Sequence, residues 1–205
     1  MPFILPLLVP LFLAPPQGAA DTRFSFQGIF VEGCSCKEAC QYELKGTSTN
    51  CDAIGAYSFT KGTYGGKNFA GTRVAFASGS TGWVDLYVDG PDIASRQVAA
   101  DFMSRALKGW GKVSKPVFAS VSLTGFDGNY IVNAAGGALR LFCSPARKKG
   151  VRGIPVFENI FNKNLHKKLY QSVTENASYE SRGRKIQLQG TNGFFNPVLK
   201  ETGKL

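Results

Sequence analysis

The sequence predicts an α+β domain, mostly antiparallel β-sheet with one long helix and a second helix as a further option. Three observations carry this reading. Apolar residues alternate at a period of two through most of the chain. Glycine and Asp-Gly turns separate these runs. One segment alone shows a sustained three- and four-residue apolar spacing.

The chain opens with MPFILPLLVPLFLAPPQGAA, which holds no Lys, Arg, Asp or Glu and five of the ten prolines. An apolar stretch followed by the small residues Gly18, Ala19 and Ala20 reads as a secretory signal over residues 1–20. The rival reading, a membrane anchor, needs an unbroken helix of about 20 apolar residues. Pro6, Pro10, Pro15 and Pro16 interrupt one. The remainder, 21–205, is of a length suited to a single domain. An exported location, periplasmic or extracellular, is the expectation.

In TRFSFQGIFVEG the aromatics Phe24, Phe26 and Phe30 fall on even positions, as in a strand. AIGAYSFTKGTYGG and TRVAFAS form a strand pair, with Gly65 and Gly66 in a tight turn. GWVDLYVDG is a strand covered on both faces. Asp89-Gly90-Pro91 then leads into the long helix, in which Ile93, Val98, Ala99, Phe102, Met103, Ala106 and Leu107 form the apolar face and Gly109 and Gly111 mark the end. VFASVSLTG reads as one strand with Val117, Ala119, Val121 and Leu123 on a face. Asp127-Gly128 signals a hairpin. NYIVNAA and ALRLFC follow, then GIPVFE, edge-like because Pro155 lacks an N–H. ENIFNKNLHKKLYQSVTE, 158–175, supplies the second helix through Ile160, Leu165, Leu169 and Val173, and RKIQLQG closes the series.

The chain carries a formal net charge of +10, with its basic residues concentrated late, from Arg147 to Lys185. Such a surplus either keeps a surface solvated or docks on an anionic envelope surface. No nucleic-acid recognition motif accompanies it, and nucleic acid is not an expected partner. Catalytic machinery is missing from the pattern. His166 is the one histidine, read as a solvated helix residue between its lysines, and G-x-S-x-G is absent. No catalytic residue is assigned.

The distinctive stretch is EGCSCKEACQYELKGTSTNC, with four of the five cysteines at Cys34, Cys36, Cys40 and Cys51. Cys34 and Cys36 share a strand face, a helical turn through KEAC brings Cys40 onto the side of Cys36, and Gly46 lets the loop return Cys51. Converging sulfurs suit a soft metal, Cu(I) or Zn(II), with Cys34, Cys36 and Cys40 as primary ligands and Cys51 as fourth. Two disulfides among the four, in any of three pairings, are the structural alternative for an exported chain. Thiol–disulfide exchange is the third reading, although the C-x-x-C spacing it favours is absent. Cys143 ends a strand on the face of Leu139 and Leu141, as a buried thiol or as a further member of the cluster. An odd number of cysteines leaves one unpaired within the chain.

FxFxGxFxExCxCxxxC from Phe24 to Cys40, Cys51, GxYGGxxxxG from Gly62 to Gly71, and WxxxYVD from Trp83 to Asp89 ahead of a helix resemble the bacterial domain-of-unknown-function 1326 family. Members of that family commonly carry C-x-C-x3-C-P-C, and here Gln41-Tyr42 stands in place of the Pro-Cys pair. The resemblance carries Cys34, Cys36, Cys40 and Cys51 over by position. It transfers no activity, and implies association with a metal-handling membrane protein.

Overall fold

The computed structural model describes residues 21–36, 40, 51–147, 152–158, 160 and 165–205. The segment 1–20 expected to be a signal lies outside the described residues, as do 37–39 of the expected KEAC turn, the whole loop 41–50 with Gly46, and Lys148 and Lys149.

The strands are β1 (Arg23–Cys34), β2 (Ala53–Tyr64), β3 (Lys67–Asn68), β4 (Arg73–Gly79) and β5 (Trp83–Asp89). The helix α1 (Ile93–Ala106) follows, then β6 (Lys112–Val113), β7 (Val117–Phe118), β8 (Val121–Phe126), β9 (Asn129–Ala134) and β10 (Leu139–Pro145). The chain ends with β11 (Val156–Glu158), β12 (Lys168–Ser181), β13 (Arg184–Leu188) and β14 (Thr191–Lys204). The strands join one sheet in the order β6-β5-β4-β2-β1-β14-β12-β10-β9-β8, with the shorter strands β3, β7, β11 and β13 added at its sides. The expected mostly-β architecture with a long helix is present, but the sheet is mixed: β5 pairs in parallel with β6 and β7.

The sheet curls on itself, because two apolar faces must be buried and only one helix among the described residues is available to cover them. On the outer face α1 packs down, and Phe102 sits within 6.3 Å, centroid to centroid, of Phe24, Phe26, Phe59, Tyr64 and Phe69. Asp92 caps the helix by accepting the Ser95 N–H at 2.8 Å. On the inner face Val31, Ile54, Ala75 and Ala77 from one wing meet Val132, Leu141, Ala177 and Tyr179 from the other. Each wing thus supplies the cover that a second layer would otherwise provide.

Residues 117–121 join the wings at the open side. Val117 and Phe118 pair with β5, while β8 begins at Val121 and pairs with β9. The expected single strand through VFASVSLTG is therefore two, since the chain changes partners at Ala119 and Ser120. The Ala119 N–H donates to Val88 O at 3.2 Å and the Ala135 N–H to Ser120 O at 3.0 Å. A buried charge cluster ties the same wings deeper in. Asp85, 1% exposed, accepts from Tyr179 Oη at 2.6 Å, Arg184 Nη1 at 2.7 Å and Arg182 Nη1 at 3.1 Å. Burial pushes its carboxyl up, yet the bonds from Tyr179, Ser114 and Arg184 outweigh that and hold it below the usual range.

The second helix expected over 158–175 is not formed in its described part. Residues 168–175 belong to β12, a central strand between β14 and β10. Leu165, Leu169 and Val173 mimic a helical face because Gln171, Ser172 and Thr174 are buried polar residues that hide the strand alternation. The chain also does not close with RKIQLQG: β14 follows and lies between β1 and β12. Pro197 is tolerated there because the β1–β14 register shifts between Gly28 and Phe30, so Pro197 and Val198 fall in a bulge. The Val198 N–H turns to Asn196 Oδ1 at 2.9 Å.

Candidate functional site

β1 runs through the middle of the sheet and ends at Cys34, so whatever follows is delivered to one rim. Ser35 and Asp52 close the neck of the β1–β2 connection. The Ser35 N–H donates to Asp52 O, and the Asp52 N–H to Ser35 Oγ, each at 2.8 Å. Asp52 Oδ1 also accepts the Ser80 N–H at 2.8 Å, fixing the neck to the end of β4. A disulfide joins Cys36 to Cys51 just beyond, with Cα atoms 5.6 Å apart.

Cys34 and Cys40 lie outside that disulfide and are buried. The Cys40 Sγ lies 3.2 Å from the Cys36 Sγ. The sulfurs of Cys34, Cys36 and Cys40 all lie within 4.8 Å of one another. The convergence expected from the sequence is therefore present for these three, with Cys51 bonded to one of them, Cys36. Of the pairings open to two disulfides, one bond, Cys36–Cys51, is formed.

Strand alternation also sets Phe30, Glu32 and Cys34 on the outer face of β1 in a row. Glu32 is a buried carboxylate two residues from the first thiol. Across the ladder Asn192 is the β14 partner of Cys34, and its Nδ2–H donates to Cys34 Sγ at 3.7 Å. Asn192 Oδ1 in turn accepts from Gln171 Nε2 at 3.2 Å. The bond to Cys40, then burial, then the negative charge of Glu32 hold the Cys34 thiol well above its ordinary pKa.

Glu32, Asn192 and Gln171 were not identified from the sequence. Glu32 was legible in principle, as a charge among apolar even positions of a strand. Asn192 and Gln171 arrive from strands that pair only in the tertiary fold.

His166 is not a solvated helix residue. It is fully buried, with its ring 4.5 Å from Phe30 and stacked on Tyr57 at 6.2 Å and 4°. Its Nδ1 lies 3.5 Å from Tyr57 Oη. Leu165 and His166, just before β12, are both buried against the outer-face core instead of lying on a water-facing helix.

Cys143 does not join the cluster. It is fully buried on the inner face, 3.7 Å from Glu32 O through its Sγ, in the apolar core of Leu139 and Leu141. Room for this packing comes from Gly33 and Gly193, which oppose one another in the β1–β14 ladder. A Cβ on Gly33 would lie 2.4 Å from Thr174 Oγ1, and one on Gly193 2.6 Å from Ser172 Oγ. Burial pushes the Cys143 thiol up to about 12, against smaller opposing effects of Ser172 and Thr174.

Several late basic residues are paired with buried carboxylates. Arg182 and Arg184 bind Asp85, with the Arg184 guanidinium 4.5 Å over the Trp83 ring, and Lys167 pairs with buried Glu201 at 3.1 Å.

No protein-family model matches the chain, and no curated protein matches it. Three of the solved structures to which the chain is similar are as follows. One is the enduracididine biosynthesis enzyme MppR complexed with the condensation product of pyruvate and imidazole 4-carboxaldehyde, at 9% identity and TM-score 0.44 over 93% of this chain and 88% of that one. Another is acetoacetate decarboxylase from Legionella pneumophila subsp. pneumophila str. Philadelphia 1, at 10% identity and TM-score 0.40 over 95% and 92%. The third is an acetoacetate decarboxylase-like enzyme from Sphingomonas wittichii RW1, at 11% identity and TM-score 0.34 over 96% and 98%. The thiol cluster is read from the chain's own geometry.

Proposed function

We propose that this is an exported protein that holds a soft metal ion, Cu(I) or Zn(II), for sequestration or delivery, through the thiolates of Cys34, Cys36, Cys40 and Cys51. The observation that carries the reading is the set of three buried sulfurs within 4.8 Å of one another. Zn–S bonds of about 2.3 Å would set tetrahedral sulfurs roughly 3.8 Å apart. The observed spacings, 3.2 Å for Cys36–Cys40 and up to 4.8 Å within the set, therefore need adjustment by at most ~1 Å in either direction, within the reach of side-chain rotation. The donor set is all sulfur, which favours Cu(I) over metals that prefer oxygen or nitrogen. Asn192 orients Cys34 from outside the ligand set. Buried Glu32 adds negative charge beside it, unfavourable to a thiolate but favourable once a cation is held.

The Cys36–Cys51 bond makes the oxidised chain a two-thiol protein at this site, so full coordination belongs to the reduced form. The disulfide itself supports export to an oxidising compartment. The resemblance to the domain-of-unknown-function 1326 family supports delivery to or from a metal-handling membrane protein.

Metal content and free thiols counted on the same sample test the proposal. After phosphine reduction without oxygen, the chain should take one Cu(I) from a chromogenic chelator, and before reduction it should compete far more weakly. A reduced chain that leaves the chelator fully loaded removes the metal reading.

The Cys36–Cys51 bond favours one second reading, a disulfide-stapled binding module that docks its basic surface on an anionic envelope surface. Docking of that kind weakens steeply with ionic strength, whereas thiolate coordination does not.

A further inference from the structure

A cavity of about 460 Å³ opens beside the disulfide. Its lining includes Ser35, Cys36, Arg147, Gln171, Thr191 and Asn192. Cys36, at 9% exposure, is more accessible than Cys34 at 1% or Cys40 at 3%, and faces this space ahead of them. The volume falls in the range of small-molecule sites, roughly 300–1,000 Å³. Among its described lining residues Arg147 is the one charge, a guanidinium suited to a carboxylate. Gln171 and Asn192 are buried, and the bond between them fixes amide groups at the wall. A polar, singly basic cavity with a disulfide sulfur in its wall is fitted to a ligand that has both an acid group and a sulfur nucleophile.

We propose that this cavity binds a small carboxylate-bearing thiol, which reduces the Cys36–Cys51 bond. The proposal rests on the disulfide and the cavity and holds whether or not the reduced site takes a metal. The bound thiolate attacks Cys36 Sγ. A new S–S bond forms between ligand and Cys36, the Cys36–Cys51 bond breaks, and Cys51 leaves as a thiolate that takes a proton from water. A second molecule of the thiol then attacks the ligand sulfur and releases the oxidised small-molecule disulfide. Cys36 is left as a thiolate, which also takes up a proton. Two thiols are oxidised for one protein disulfide reduced.

The test uses the oxidised, chelator-treated full chain with two probes, glutathione and the uncharged 2-mercaptoethanol, quenched by alkylation and mapped by mass spectrometry. At equal thiolate concentration and moderate salt, glutathione should reduce the bond about tenfold faster, the worth of one charge-assisted contact. The transient adduct should map to Cys36. Arg147→Gln should bring the glutathione rate down to that of 2-mercaptoethanol and leave the latter unchanged. Lys200→Gln, which removes an equal charge from an exposed position elsewhere, should alter neither. Equal rates for the two probes, an Arg147→Gln chain as fast as the parent, an adduct on Cys51, or a Cys36–Cys40 bridge as end product would each overturn the proposal. Metal uptake by phosphine-reduced protein is measured without either probe, so its failure and the failure of the cavity proposal are separate results.

Discussion

Cys34 and Cys143 lie at the same end of the sheet, both free and both almost fully buried, on opposite faces around β1. Both thiols have pKa values pushed above the ordinary one. For Cys143 the main cause is burial alone, and its polar neighbours are hydroxyls of β12. For Cys34 the first cause is another thiol, Cys40, with burial second. The difference teaches that burial does not separate a packing cysteine from one proposed as a metal donor. What separates them is whether other sulfurs share the same pocket, because a soft cation repays the desolvation of thiolates only when several act together.

The largest effect that sharpens this comparison is expected at Cys36. Cys36→Ala removes a central sulfur of the outer-face triangle and should lower Cu(I) affinity by at least about a thousandfold while the far-ultraviolet spectrum stays that of a folded sheet. Cys143→Ala, on the inner face, should leave the affinity unchanged. If both variants lose metal equally, the faces are not distinct in function.

Asp85→Asn tests whether the inner face is held by its charge cluster. Removing the carboxylate leaves Arg182 and Arg184 without their buried partner and should cost about 2–3 kcal/mol in denaturant unfolding, with the thiol count of the oxidised chain unaltered. Asn192→Ala removes the amide that orients Cys34 and should weaken metal binding about tenfold, an outer-shell effect smaller than loss of a ligand. An unchanged affinity would make Asn192 a sheet residue only.

The smallest effect is expected for Cys143→Ala on stability, about 1 kcal/mol at pH 7 from the deleted sulfur. Its pH dependence is the sharper readout. The folded-state pKa of Cys143 is raised, so the folded chain holds this proton more tightly than the unfolded one. The associated stability is present in full below pH 9 and is lost as pH climbs from 9 toward about 12. Unfolding measured across that window should show a shallower alkaline decline in the variant. An identical slope would mean that the thiol is not titrating in that range.

Much of the sheet was legible because its signals are local. The Asp127-Gly128 hairpin forms with φ of 50° and 87°, and Gly65-Gly66 turns with 55° and 74°, values that the residue types themselves favour. α1 is capped by Asp92 and spans the apolar spacing read from the sequence, although Ile93 is exposed. The convergence of Cys34, Cys36 and Cys40 was expected from their closeness in sequence, although β1 ends at Cys34 and so Cys36 does not share its strand. β12 and β14 were not legible, because their signals are tertiary. Gln171, Ser172 and Thr174 are buried polar groups, and Pro197 occupies a bulge whose position depends on the β1 register.

The amino-acid order alone determined the strand-rich class, the single described helix and the gathering of sulfurs within one connection. Such features depend on neighbours a few positions away, where backbone preference and side-chain period act directly. The tertiary structure decided which sulfur bonds to which, that Cys143 sits on the far face from Cys34, and that Asn192 reaches Cys34 from β14. These contacts join residues up to 158 positions apart. Their geometry follows from how the curled sheet closes over two cores, which no local pattern encodes.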